Sequence, residues 1–256
     1  MKKTKFIFII TLPLMWIIYC LFELFTRRLP MPKFLVLTII PSVLLILLSY
    51  LFFKLFIHYK AGLQRKTLLI LFFFFLFLDQ GLKLIIKFFL FTKKFNIITN
   101  LLSFNPIINT KGSWLNVRFN ININFTFLIL INIIALLLFT EIYRYHNNIN
   151  NKNLLTDLCY LFIIVGSICS LVDKIFYGGS LDFIGIGNLF IADFKDIYIN
   201  LAIFMFIVVI YDYDDEENKS IKYDIKKLKC FFKFISNDFK SNIKKIKKLN
   251  IIKKSR

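Results

Sequence analysis

Five aspartates stand in or against stretches that are otherwise almost wholly apolar: Asp79, Asp173, Asp182, Asp193 and Asp196. An ionisable group beside a membrane-length apolar run is costly, so each marks a functional hypothesis. Asp173 closes one run in GSICSLVDKIFYGG, and Asp196 opens the next in ADFKDIYIN. If the first run leaves the membrane at Asp173 and the second re-enters at Asp196, both carboxylates lie at one depth, and the loop between them is long enough to bring them side by side. Two carboxylates in a low-dielectric site do not both ionise easily and come to share a proton. One then acts as general base on a bound water and the other as general acid toward a scissile carbonyl. That is the chemistry of an aspartic peptidase. Paired acids at a membrane edge equally suit a cation site or a proton relay, and position alone leaves those open. Asp79 lies in FLDQGLKLIIK with Lys83 one helical turn on, the spacing of an ion pair that ties helix to loop or braces a site.

The elements that must carry these groups follow from composition. Of 256 residues, 58% are hydrophobic and 33 are Phe, against 19% charged, with a mean hydropathy of +0.69. Soluble domains are nearer 45–50% apolar and about 25% charged, so an integral membrane protein is indicated. Six runs reach or approach the ~20 residues that span a bilayer as a helix: Phe6–Phe25, Phe34–Phe56, Thr67–Phe91, Phe125–Tyr143, Leu154–Val172 and a shorter Asp196–Tyr211. None alternates as a barrel strand must. The expected fold is an all-α polytopic membrane protein of six helices, with a small extracytoplasmic loop and β region built from Thr92–Asn124 and Asp173–Lys195. Basic residues at Lys2, Lys3 and Lys5 and in the tail favour both termini in the cytoplasm, which puts the two long polar loops together on the outer side.

The formal charge is +19, and residues 212–256 hold 14 of the 34 Lys and Arg. A stripe from Ile221 through Ile225, Leu228, Phe232, Ile235, Phe239, Ile243 and Ile246 to Leu249 runs through that tail at helical spacing. This describes an interfacial amphipathic helix beside anionic lipid, with a solvated charged tail as the plainer reading. No zinc, RNP or helix-turn-helix pattern accompanies the charge, so nucleic acid is not an expected partner. Cys20, Cys159, Cys169 and Cys230 are scattered without a metal or disulfide spacing. Neither His58 nor His146 has a second metal-ligand residue at metal-binding spacing in the sequence, and no metal or other cofactor is expected. Trp16 and Trp114 are expected to anchor at the membrane interface.

At the acidic positions the sequence resembles the lipoprotein signal peptidase (signal peptidase II) family. Asp79, Gln80 and Lys83 resemble that family's first block, and Asn109-Thr110-Lys111-Gly112-Ser113-Trp114 its second. Gly166 through Ser170-Leu171-Val172-Asp173-Lys174 is similar to its Gly-Asn-x-x-Asp-Arg block, Leu181-Asp182-Phe183 to its Val-Asp-Phe block, and Asp193-Phe194-Lys195-Asp196 to its Asn-x-Ala-Asp block. The resemblance covers roughly residues 67–213. It implies that Asp173 and Asp196 are a catalytic dyad, that Asn109, Asp79 and Lys83 line or brace the site, and that Asp182 orients the outer loop. Gly112, Ser170, Lys174 and Asp193 complete the substrate-binding and supporting set. Ser170 and Asp193 stand where the family has Asn, and Lys174 where it has Arg, which loses a planar fork. Asp193 brings a further carboxylate beside the dyad, for which Lys195 or Lys174 is the compensating charge.

The resulting expectation has three parts. Residues 1–66 form two additional transmembrane helices, 67–213 a four-helix peptidase core, and 214–256 a basic cytoplasmic tail. The implied activity is cleavage of diacylglyceryl-modified preproteins before the lipid-modified Cys, by a monomer in the bacterial inner membrane whose site faces outward and whose other partners are membrane lipids. A cation- or proton-coupled transporter using the same carboxylates, and an inactive scaffold paralogue, are the alternatives.

Overall fold

A long run of Leu, Ile and Phe has one good solution in lipid, a helix that satisfies its own backbone. The computed structural model describes residues 2–59, 61–121, 123–149, 152–187, 189–214, 229–238 and 240. Its helices are α1 (Lys2–Phe25), α2 (Met31–His58), α3 (Arg65–Ile85), α4 (Trp114–Phe119), α5 (Phe125–Ile149), α6 (Leu154–Phe176) and α7 (Phe194–Asp214). All but the short α4 hold stretches long and apolar enough to cross a membrane. The protein is thus an all-α polytopic membrane protein with a small antiparallel sheet. The helices outrun the apolar runs because their ends carry polar residues. α6 continues to Phe176, so Asp173 lies within its last turn instead of ending it. α7 runs for 21 residues, a full span where the sequence suggested a short one.

The two long loops each form a hairpin. β1 (Phe95–Ile98) and β2 (Leu102–Asn109) come from one, β3 (Ser180–Ile186) and β4 (Phe190–Ala192) from the other, and the sheet order is β1-β2-β3-β4. Pairing of β2 with β3 joins loops that are about 75 residues apart in the chain. Their register slips by one residue between Phe104 and Ile107, at Pro106, which has no N–H to give a ladder.

α6 is the hub, packed on α3, α5 and α7. Gly166 makes the α6–α7 approach possible: a Cβ there would stand 2.8 Å from Ile199 Cγ1 and 3.3 Å from the Lys195 carbonyl oxygen. α5 has no buried residue, as suits a helix facing lipid.

The N-terminal pair packs on this core at two levels. Away from the sheet, Phe8 of α1 meets Phe53 and Phe56 of α2 and Phe204 of α7. Beside the sheet, Leu37 packs with Leu101 and Leu189 at the two hairpin turns, and Tyr19 meets Phe190 edge-on. Buried Glu23 is paired with Arg118 of α4 at 3.2 Å. The hairpin therefore props the sheet from the side. Trp16 ties the two N-terminal helices together. Its Nε1 donates to the Leu37 carbonyl at 2.8 Å. Pro41, four residues on, lacks the N–H that would otherwise occupy that carbonyl.

Of the tail, residues 229–238 are helical. Asp238 takes a two-pronged bond from Arg144 at 2.7 and 2.6 Å, and Tyr145 packs on Phe231 and Phe234. Phe232 and Ile235 of the apolar stripe lie in this segment, while Ile221, Ile225, Leu228, Phe239, Ile243, Ile246 and Leu249 fall outside the described residues.

Candidate active site

Three elements converge where α7 begins. α3 brings Asp79, Gln80 and Lys83 on one face, since residues four apart stack along a helix. α6 brings Asp173, and β3 brings Ser180 and Asp182 on one side of the strand, two residues apart. The start of α7 supplies Asp193, Lys195 and Asp196. Its first turn is a reciprocal cap: the Asp196 N–H donates to Asp193 Oδ1 at 3.2 Å, and the Asp193 N–H donates to Asp196 Oδ2 at 3.3 Å. Asp79 Oδ1 takes a third N–H of that turn, from Lys195, at 3.2 Å. Three carboxylates thus gather at the positive end of one helix.

Two ammonium groups bind the cluster together. Lys83 Nζ lies 2.8 Å from Asp79 Oδ2, 2.8 Å from Asp173 Oδ2 and 2.6 Å from Asp193 Oδ2. Lys195 Nζ pairs with Asp193, and lies 3.3 Å from Asp173 Oδ2 and 3.6 Å from Asp182 Oδ1. Ser180 Oγ is 3.0 Å from both Asp173 Oδ2 and Asp193 Oδ2, and takes a 2.5 Å hydrogen bond from Lys195 Nζ. Gln80 Nε2 bridges Asp79 and Asp173 at 2.9 and 3.2 Å. Asp79, Asp173, Asp182, Asp193, Lys83 and Lys195 are all buried, whereas Asp196 is half-buried. Burial works against ionisation of Asp193, but Lys195 and Lys83 outweigh it and hold that carboxyl down at about 2. Asp182 goes the other way: burial raises it, against the pull of Lys195.

The remaining expected residues sit around this cluster. Asn109 Nδ2 donates to Asp182 Oδ2 at 3.0 Å, linking β2 to the site. Ser170 and Lys174 meet each other, with Lys174 Nζ turned back to Ser170 Oγ at 2.5 Å. Gly112 lies outside the cluster, in the turn after β2, where its φ of +68° suits glycine and its neighbours are Phe125 and Leu128. The Asp79–Lys83 pair forms as its spacing suggested, and Lys83 holds two further carboxylates besides. Ser180 was not singled out from the sequence, although its two-residue step to Asp182 was a usable signal. Lys195, read there only as a compensating charge, lies at the centre.

Carboxylate oxygens of Asp182, Asp193 and Asp196 come within 4.8 Å of one another, close enough to suggest a metal site. The Lys195 ammonium already stands beside two of the three, so the cluster has its own internal cation. What the arrangement offers is two carboxylates from different helices, Asp173 and Asp196, connected through Asp193, with one buried and the other partly open.

The family described as signal peptidase (SPase) II matches residues 70–211. A solved structure described as a bacterial membrane enzyme, determined by the in meso method at 2.3 Å, is similar in fold, with 21% identity and a TM-score of 0.51 over 64% of this chain and 98% of its own. A second, described in the same terms at 1.9 Å, has 20% identity and a TM-score of 0.49 over 59% of this chain and 96% of its own. No curated protein matches. With more than half of its length matched, and the acidic cluster inside that match, the chain belongs to the signal peptidase II family.

Proposed function

We propose that this chain is an aspartic endopeptidase that removes signal peptides from diacylglyceryl-modified preproteins, cutting before the lipid-modified Cys. The observation that carries this reading is the link from Asp173 of α6 through Ser180 to Asp193, and from Asp193 to Asp196 at the start of α7, beside a sheet made by the two long loops. The signal helix of the substrate enters sideways from the bilayer, and the dyad activates a water against the peptide carbonyl. Binding energy comes from the lipid and the apolar signal helix, which the membrane-facing surfaces of α3 and α5 suit. The protein works as a monomer in the bacterial inner membrane with both termini cytoplasmic and the site outward. Its basic tail rests on anionic lipid. Residues 67–213 are the catalytic unit, and residues 1–66 brace its sheet.

The test is a gel-shift cleavage assay in detergent on a diacylated preprotein, comparing wild type with Asp173→Asn and Asp196→Asn and adding EDTA as a control. Cleavage lost in both variants and indifferent to EDTA is the expected result. A well-folded wild type that cuts no lipidated substrate, or either variant cutting at the wild-type rate, overturns it.

A further inference from the structure

The stretch that leaves α3 reads KFFLFTKKFNII, from Lys87 to Ile98, and mixes cations with large apolar side chains. It covers the end of the third membrane-length span, at Leu90, and leads into β1, an edge strand of the sheet whose four residues are all exposed. Lys87, Lys93 and Lys94 are exposed, and Phe88 and Phe89 are 72% and 75% exposed. The end of the α6 span stands beside them. Lys87 Nζ lies 5.3 Å from the centre of the Tyr177 ring, and the neighbouring Phe176 is 75% exposed. One belt of rings and ammonium groups therefore joins the ends of two spans to the edge of the sheet.

Nothing in the protein neutralises this belt. The chain carries no Asp or Glu from Gln80 to Thr140. Asp79, Asp173, Asp182 and Asp193 are buried and already meet Lys83 or Lys195. Among the described residues, none of Lys87, Lys93 and Lys94 forms an ion pair. Three solvated cations suit any anion, and the rings decide which one. Phe88, Phe89 and Phe176 close apolar spans and so lie at the hydrocarbon boundary. A lysine within a few residues of such a ring lays its stem along the apolar surface and puts its ammonium at headgroup depth. The anion at that depth is a lipid phosphate.

We propose that this belt is a binding site for an anionic phospholipid, whose phosphate is taken by Lys87, Lys93 and Lys94 and whose acyl chains lie against Phe88, Phe89 and Phe176. A zwitterionic lipid is disfavoured because its own cation competes for the phosphate. The site is separate from the basic tail, which meets the far end of α5 at Arg144. It is also tied to the acidic cluster. Phe95 stacks on Phe104 at 5.2 Å, Phe104 meets Phe183 at 6.2 Å, and Phe183 meets Phe194 at 5.8 Å, between Asp193 and Lys195. Lipid bound at the belt thus fixes the depth of the strand that carries Asp182 and of the start of α7. The proposal needs only that the chain spans a membrane, and its test contains no cleavage step.

The experiment titrates the full chain in detergent with phosphatidylglycerol and, separately, with phosphatidylcholine, and counts bound lipid by native mass spectrometry. Each lysine near an anionic surface is worth about fivefold in affinity. Wild type is expected to prefer phosphatidylglycerol. Lys87→Gln/Lys93→Gln/Lys94→Gln is expected to lower that affinity by at least about tenfold and to leave phosphatidylcholine binding unchanged, while Lys87→Arg/Lys93→Arg/Lys94→Arg keeps the preference. Equal binding of the two lipids by wild type overturns the proposal, and so does a glutamine variant that retains the full preference, since the tail then supplies it.

A second measurement needs no lysine variant to fold. Phe95→Trp places a fluorophore in the belt, and its emission, taken as the difference from wild type, is read in bilayers holding a small fraction of bromine-labelled lipid. Stronger quenching by labelled phosphatidylglycerol than by labelled phosphatidylcholine is expected, and equal quenching overturns the assignment. A soluble oligoglutamate peptide that binds with the same lysine dependence, where phosphatidylglycerol does not, would identify an acidic peptide as the occupant and overturn the lipid.

Discussion

Asp193 and Asp196 each accept the other's backbone N–H, at 3.2 and 3.3 Å. The α7 cap and the acidic cluster are therefore built from the same two side chains. On the proposed peptidase reading, substitutions there act on folding and on chemistry at once, and the choice of replacement separates the two.

Asp196→Asn keeps an acceptor oxygen for the Asp193 N–H, and Asp196→Ala removes it. Both variants are expected to lose cleavage. Only the alanine variant should also lose stability, by about 1 kcal/mol as for other lost caps. Thermal melts in detergent beside the gel-shift assay check this, and equal melting of the two variants would refute the cap.

Lys83 is the shared cation of Asp79, Asp173 and Asp193. Lys83→Met leaves three buried acids short of a partner and is expected to cost about 3–5 kcal/mol, the range for breaking a buried pair from one side. Adding Asp79→Asn should recover part of that loss. Unfolding of the single and double variants measures the coupling, and strict additivity argues against it.

Gly166→Ala drives a methyl group against Ile199 and the Lys195 carbonyl. Forced separation of α6 from α7 is expected to cost about 1–3 kcal/mol and to pull Asp173 away from Asp196. Ile199→Ala in the same chain relieves the side-chain clash and leaves the carbonyl contact. Stability should therefore return further than kcat does.

The Glu23–Arg118 pair ties α1 to α4. Glu23 is fully buried and Arg118 nearly so, and Arg118 also donates to Thr26 Oγ1 at 2.6 Å. Arg118→Ala is expected to expose the 110–124 loop to limited proteolysis and lower the melting temperature, and Glu23→Gln/Arg118→Ala to do so less, because no buried charge is stranded. Unchanged proteolysis in Arg118→Ala would mean that the N-terminal pair does not brace this loop.

Stability should also depend on acid through Asp193. Its carboxyl is held at about 2 in the folded chain by Lys195 and Lys83, below the ordinary ~3.9. A lowered carboxyl stabilises the fold above its unfolded value, and that contribution is lost as pH falls from about 4 to about 2. Asp182, raised by burial, has the opposite sign. Melts across that window should show a steeper acid loss in wild type than in Asp193→Asn.

Much of this was legible in the amino-acid order. Six apolar runs specify six helices because the bilayer leaves a long apolar segment no other way to satisfy its backbone. The acids stood out because such runs tolerate so few of them, and Asp79 and Lys83 share a face by helical spacing alone. Local signals stop at the helix ends, where apolar character fades before the hydrogen bonds do. Hence Asp173 turned out to lie one turn inside α6.

What only the tertiary structure decided is which charge meets which. Lys83 reaches Asp173 and Asp193 across 90 and 110 residues of chain, Ser180 enters through pairing of β2 with β3, and the N-terminal helices reach the sheet through Leu37, Tyr19 and Glu23. Periodicity places a side chain on a face of its own element. The partner of that face is set by how α6 and α7 close at Gly166 and how two distant loops zip into one sheet, and these are properties of packing that no local spacing encodes.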